Sequence, residues 1–143
     1  MSLTYPVTLA HDTNGSVIAR FRDVPEALTH GASKEVAATW AQDALLVALS
    51  VYMDEGRDIP VPSKAKRGER MVPLPAMSAA KLAIYQAMRE RRVRQLDLAQ
   101  QLNIDAKQVR RLLDLNHNST LPQLSAALEA LGKRLVVDVR DAA

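Results

Sequence analysis

The chain has 143 residues, enough for one moderate hydrophobic core or two small ones. It has no cysteine, which excludes a disulfide framework and a thiolate metal site. Its net charge of +3 conceals a segregation: residues 1–60 carry four Lys/Arg against eight Asp/Glu, residues 61–77 sum to +3, residues 78–114 to +4, and residues 115–143 balance. The basic half therefore suits a polyanion and the acidic half a basic protein.

Tyr5 to Leu9 and Ser16 to Phe21 are short runs rich in β-branched residues, separated by Asp12-Thr13-Asn14-Gly15. Asn-Gly between such runs predicts a hairpin, because both residues tolerate positive φ. A third short strand is expected around Ala27 to His30, ended by Gly31. Ser33 is placed to cap a helix over Lys34 to Met53, with Glu35 in its first turn. Ala37, Trp40, Ala41, Ala44, Val47, Ala48 and Val51 give that helix a broad apolar stripe, expected to be buried on the sheet. Gly56 and Pro60-Val61-Pro62 stop it, KAKRGER reads as a loop, and Met71 to Pro75 reads as an edge strand, since two prolines exclude a central position.

From Ser78 onward the periodicity is helical. Ser78 to Arg92 presents Leu82, Ile84, Tyr85 and Met88 on one side. The next run, QLDLAQQLNIDAKQVRRLLD over Gln95 to Asp114, reads as a DNA-binding helix-turn-helix. Ala99 is the small residue where two helices nearly touch, and Leu98, Leu102, Ile104, Val109 and Leu112 close the corner. Asn103 replaces the usual turn glycine and can adopt αL, while Asp105 and Gln108 form a capping box for the second helix. Lys107, Gln108, Arg110 and Arg111 then face outward, side chains able to reach bases and phosphates. Thr120-Leu121-Pro122-Gln123 opens a last helix, Gly132 closes it, and Arg134 to Val139 alternates as a terminal strand with no sequential partner. Such a strand needs an edge, and its copy in a second subunit would supply one.

Chemistry is poorly supported. His11, His30 and His117 are scattered without metal-ligand spacing, and Asp12, Asp23 and Asp43 lie on separate predicted elements. No catalytic residue, metal or cofactor is expected. The opening MSLTYPVTLAHD has no signal-peptide pattern, and no apolar run looks long enough to span a bilayer, so a cytoplasmic protein without membrane contact is expected.

Several residues of the first half carry a family resemblance: Tyr5-Pro6, Asn14-Gly15, Phe21-Arg22-Asp23-Val24-Pro25-Glu26-Ala27, Thr29-His30-Gly31, Glu35, Ala41-Gln42-Asp43-Ala44 and Ile59-Pro60-Val61-Pro62. Together they resemble the HicB antitoxin signature over most of residues 4–74. Arg22 and Ala27 depart from it, standing where that signature has proline and glycine. The helix-turn-helix of residues 78–132 resembles the lambda-repressor-like domain appended in many members. The resemblance implies an α+β chain: a partial RNase H-like ββ(β)αβ domain over residues 1–75, a linker within 60–77, and an all-α DNA-binding and dimerisation domain over 78–143 with a short C-terminal strand. It implies an antitoxin that neutralises a HicA-like mRNA-cleaving toxin and represses its own operon at operator DNA, as a homodimer or higher homo-oligomer. Asp23, Glu26, Glu35 and Asp43 are the expected toxin contacts. On the DNA side, Arg94 and Gln95 would meet phosphate, and Lys107, Gln108 and Arg111 would read bases. Arg110 would lie at the groove margin, with Asn116 and His117 on the backbone. A stand-alone regulator whose first domain binds a ligand or mediates assembly is the main alternative, and an RNase H-type nuclease the third.

Overall fold

The computed structural model describes residues 2–142 and divides into two compact units, the first ending at Ala79 and the second beginning at Ala80. The first is a four-stranded antiparallel sheet with one helix on it. Its elements are β1 (Thr4–His11), β2 (Val17–Phe21), β3 (Leu28–Gly31), α1 (Lys34–Asp54) and β4 (Glu69–Pro73), in sheet order β3-β2-β1-β4. β1 is central, pairing Val7 with Phe21 on one side and Arg70 on the other. Tyr5, Val7, Val17, Ala19 and Phe21 are buried on the sheet, and Ala37, Ala41, Leu45, Leu49 and Tyr52 are buried on α1. Each large side chain so removed from water contributes roughly 1.5–3 kcal/mol.

The β1–β2 turn forms where Asn14-Gly15 predicts it, but only Gly15 takes positive φ (+83°). The loop runs from Asp12 to Ser16, closed by the Asp12 N–H on the Ser16 carbonyl, so a two-residue turn with both φ values positive is not needed. Gly31 is required by proximity: a Cβ there would stand 2.6 Å from the Ala37 nitrogen in the first turn of α1. Ser33 caps α1 by accepting from the Val36 N–H at 3.2 Å.

Three expectations change in this unit. The last strand begins at Glu69 rather than Met71 and, as expected, lies on an edge. The α1 stripe is buried on one side only. Trp40, Val47 and Val51 are exposed, because the sheet covers about a third of a helix face and Ala37, Ala41, Leu45, Ala48 and Leu49 occupy it. α1 is also, by length and hydropathy, apolar enough to cross a membrane; here one side of it packs on the sheet.

Polar ties build the long connection between α1 and β4 into the unit. The Tyr5 hydroxyl donates to the Pro60 carbonyl at 2.7 Å, and burial raises its pKa far above the ordinary phenol range. Asp23 accepts from the Ser63 backbone N–H and hydroxyl at 2.8 and 2.7 Å. Arg22 clamps Glu69 with two hydrogen bonds of 2.9 and 3.1 Å.

The second unit is helical: α2 (Ala76–Arg91, whose first turn contains the division), α3 (Gln95–Leu102), α4 (Ala106–Leu112) and α5 (Leu121–Ala130). Leu82, Ile84, Met88, Leu98, Val109, Leu112, Leu124, Leu128 and Leu131 form its core. Residues 133–142 are not in a strand, which corrects the expected terminal strand over 134–139. The physical reason is the absence of an edge: the second unit is built from helices alone, and a strand without a partner cannot satisfy its backbone.

Candidate functional site

In the second unit the local sequence dictates a tight pair of short helices. Asn103 ends α3 at φ 54°, ψ 47°, a left-handed conformation that its short polar side chain tolerates. Asp105 starts α4 by accepting from the Gln108 N–H at 2.8 Å, and Gln108 returns a bond to the Asp105 N–H at 3.2 Å. Ala99 is buried where α3 packs, as are Leu98, Val109 and Leu112; Leu102 and Ile104 are half-buried. The outer face of α4 consequently presents Lys107, Gln108, Arg110 and Arg111 to solvent. Among the described residues the side chains of Lys107, Arg110 and Arg111 make no hydrogen bond or ion pair, so three cations stand free on one short helix.

The neighbouring candidates differ. The Gln108 carbonyl is engaged as a cap, which leaves its NH₂ alone free to donate; bidentate contact with adenine would require giving up the cap. Arg94 is exposed, but Asp97 holds its guanidinium through two bonds of 3.1 Å. That pairing, chiefly the side-chain bond from Arg94, holds the Asp97 carboxyl below its ordinary range. Gln95 is exposed at the first turn of α3. In the loop after α4, the Asn116 N–H donates to the Asp114 carboxylate and the His117 N–H to the Asp114 carbonyl, fixing both backbones in a turn.

One residue that sequence reasoning missed organises this face from behind. Lys81 is fully buried, and its Nζ donates to the Arg111 carbonyl at 2.7 Å, the Asp114 carbonyl at 2.9 Å and the Ser119 hydroxyl at 2.9 Å. A cation at the last carbonyls of α4 also meets the negative end of the helix dipole. Burial pushes the Lys81 pKa below the ordinary lysine range. The signal was available: Lys81 precedes Ile84, Tyr85 and Met88 by three, four and seven residues, placing it on the apolar side of α2.

In the first unit the four acidic candidates separate into two kinds. Asp23 and Glu26 are tied internally: Asp23 to Ser63, and Glu26 to the Tyr52 hydroxyl at 2.7 Å and Arg57 at 2.9 Å. The Tyr52 bond is the chief cause of the lowered Glu26 pKa. Glu35 and Asp43 are exposed on α1. Beside Asp43 runs an exposed apolar strip that includes Trp40, Val47 and Val51, residues whose helical spacing predicts burial. Val36, Trp40, Val47 and Val51 are 41%, 54%, 65% and 45% exposed, and their spacing of four, seven and four residues puts them on one helix face. Ala44 and Leu28 extend it, and Glu26, Asp54 and Glu55 lie at its margin. A contiguous apolar strip with a charged margin is the form of a protein-binding surface. Asp12 and Asp43 are on separate elements from Asp23, and among the described residues no three His, Cys, Asp or Glu side chains are grouped to hold a metal.

Comparison with known proteins gives consistent results. Residues 4–83 match the family described as HicB-like antitoxin of bacterial toxin–antitoxin systems. The chain is 38% identical over 134 residues to Antitoxin HicB 2 of Photorhabdus laumondii, covering 94% of each protein. It is 32% identical to Antitoxin HicB of Escherichia coli K12, over 93% of this chain and 96% of the relative. With Antitoxin HicB of Pseudomonas fluorescens the identity is 34%, over 92% and 91%.

Proposed function

Since the chain belongs to the HicB family of antitoxins, we propose that it neutralises a HicA-like mRNA-cleaving toxin with its first unit and represses its operon with its second. The observation that carries the toxin half is the exposed strip Val36, Trp40, Ala44, Val47 and Val51 on α1. Its apolar centre excludes water on contact, and Asp43, Asp54 and Glu55 at its margin complement a basic toxin, chiefly speeding association and setting orientation. Glu35 and Asp43 are contacts in this reading, whereas Asp23 and Glu26 act mainly by shaping the loops beside the strip. The first unit is read as a partial RNase H-like fold used for binding; its strand order supports that reading, and the antiparallel β4 is its departure from a βαβ crossover.

In the second unit α3 and α4 act as a helix-turn-helix, with α4 in the major groove of operator DNA. Lys107 and Arg111 read base edges, Gln108 donates from its free NH₂, and Arg110 lies at the groove margin. Gln95, Arg94, Asn116 and His117 meet the phosphate backbone. Two copies of the chain present two α4 helices to a palindromic site, which makes the repressor a homodimer.

The test is co-purification of the chain with a tagged HicA-like toxin and rescue of toxin-arrested growth. Val47→Glu, at a largely exposed position, abolishes complex and rescue while leaving the circular dichroism spectrum unchanged. Arg111→Ala leaves both intact and weakens operator binding. A Val47→Glu chain that neutralises toxin as well as the parent refutes the assigned surface; absence of any complex refutes the antitoxin reading.

A further inference from the structure

The connection between α1 and β4 holds a charge pattern that neither the toxin strip nor α4 uses. Residues 61–70 carry Lys64, Lys66, Arg67 and Arg70 against a single acid, Glu69, in a unit whose first 60 residues are net acidic. Glu69 is turned inward. Its side chain is 7% exposed and accepts from Arg22 at 2.9 and 3.1 Å and from the Lys66 N–H at 2.7 Å. Lys64, Lys66 and Arg67 are exposed, and among the described residues their side chains make no hydrogen bond or ion pair. The backbone that carries them is fixed. Asp23 holds Ser63, Arg22 donates to the Lys64 carbonyl, and the Glu69 N–H closes a turn on the Lys66 carbonyl at 3.0 Å.

Strand register shows on which side of the sheet this loop is anchored. Thr8 pairs with Arg20 on one side and Glu69 on the other, so the three form a row on the face that points away from α1. Arg22 follows Arg20 by two residues and shares that face. Arg20 is exposed and, among the described residues, its side chain also has no bonded partner. The first unit is therefore two-faced. Asp43, Asp54 and Glu55 border the strip on α1, while Arg20, Lys64, Lys66 and Arg67 lie about the Arg22–Glu69 pair on the opposite side of the sheet.

We infer that this basic sheet face is a second, sequence-independent contact to duplex DNA, made to phosphates while α4 reads bases. The inference rests on the DNA reading of the second unit and extends the contact to the first. Four free cations, three of them on a fixed loop, match a polyanion, whereas a basic toxin is repelled by them. Only Leu74 and Pro75 separate β4 from α2, so a duplex held by the second unit stands at high effective concentration for the first. No Phe, Tyr or Trp lies on this face: Tyr5 and Phe21 are buried on the α1 side, and Trp40 is on α1 itself. The face thus suits phosphate contact rather than the base stacking by which single strands are held.

The test titrates full-length chain with a duplex of unrelated sequence and with the DNA preceding its own gene, over a range of salt. The fourfold variant Arg20→Gln, Lys64→Gln, Lys66→Gln, Arg67→Gln is expected to bind both duplexes roughly tenfold or more weakly. Its logarithmic salt slope should be shallower by roughly two to four, at about 0.9 per lost phosphate contact. Its preference between the two duplexes and its capture of toxin should stay. Arg67→Glu alone, in the exposed turn, should shift affinity and slope in the same direction, and neither variant should change the circular dichroism spectrum. Equal affinity and slope in parent and variants refutes the face while leaving α4 as the DNA contact. Loss of toxin capture in the fourfold variant overturns the assignment, as does parental binding to single-stranded RNA that exceeds binding to duplex and disappears on substitution. A parent chain that binds no DNA refutes both this inference and the DNA reading of the second unit.

Discussion

Replacing Lys81 by Met tests whether the α4 face is held from behind by a buried cation. The substitution keeps side-chain length and removes three donors, leaving the Arg111 and Asp114 carbonyls and the Ser119 hydroxyl without that partner. A hydrogen bond from a charged donor contributes about 1.5–3 kcal/mol, while the Arg111 and Asp114 carbonyls keep the Asp114 and His117 N–H groups as donors and are not orphaned. Against this stands the relief of an ammonium that burial destabilises, shown by its lowered pKa. The balance is a loss of roughly 2–4 kcal/mol in the second unit, well short of the sum of the three bonds. The assay is amide hydrogen exchange by mass spectrometry. Peptides covering residues 106–119 should exchange roughly 30- to 700-fold faster, since each 1.4 kcal/mol is tenfold, and peptides from β1 and β2 should not change. Operator affinity should fall even though Lys81 touches no DNA. The sign of the pH effect is also fixed. With a folded pKa below the ordinary 10.5, the unfolded chain binds more protons in the window between the two values. Stability therefore rises with pH there, and Lys81→Met removes that rise. Unchanged protection of 106–119, or equal acceleration in both units, refutes the reasoning.

Arg111→Ala should relax operator specificity at one base pair by about 1–3 kcal/mol in gel-shift competition. Arg94→Ala should weaken all DNA alike and flatten the salt dependence, after first freeing Asp97; equal losses for both substitutions on every sequence contradict the division of roles. Gln108→Glu keeps the capping acceptor and removes the free NH₂, so urea unfolding should be unchanged while operator binding falls. Gly31→Ala places a Cβ 2.6 Å from the Ala37 nitrogen and should cost about 1–3 kcal/mol in urea unfolding of the first unit. Glu69 is held below its ordinary 4.5, first by the Arg22 side-chain bond and then by the Lys66 N–H. Its contribution is present above 4.5 and lost as pH falls through the lower folded value, so residues 61–69 should become protease-sensitive in acid; Glu69→Gln should be sensitive already at neutral pH.

What the sequence determined by itself is chiefly local. Ser33, Asp105 with Gln108, Thr120 with Gln123, Asn14-Gly15 and Gly132 place caps and turns because each satisfies backbone groups within a few residues. The free cations of α4 were legible for the same reason, since the helical period alone puts Lys107, Arg110 and Arg111 outward. Tertiary structure decided whatever depends on a distant partner. It chose which apolar side of α1 the sheet would cover, and so left Trp40, Val47 and Val51 outside, because one sheet face cannot bury a helix that is apolar over most of its circumference. It assigned Asp23 and Glu26 to Ser63, Tyr52 and Arg57, residues between 26 and 40 positions away, and thereby took two acids out of the free surface. It placed Lys81 beneath the end of α4. And it left residues 134–139 without a ladder, because strand propensity is local but a strand's hydrogen bonds belong to its neighbour.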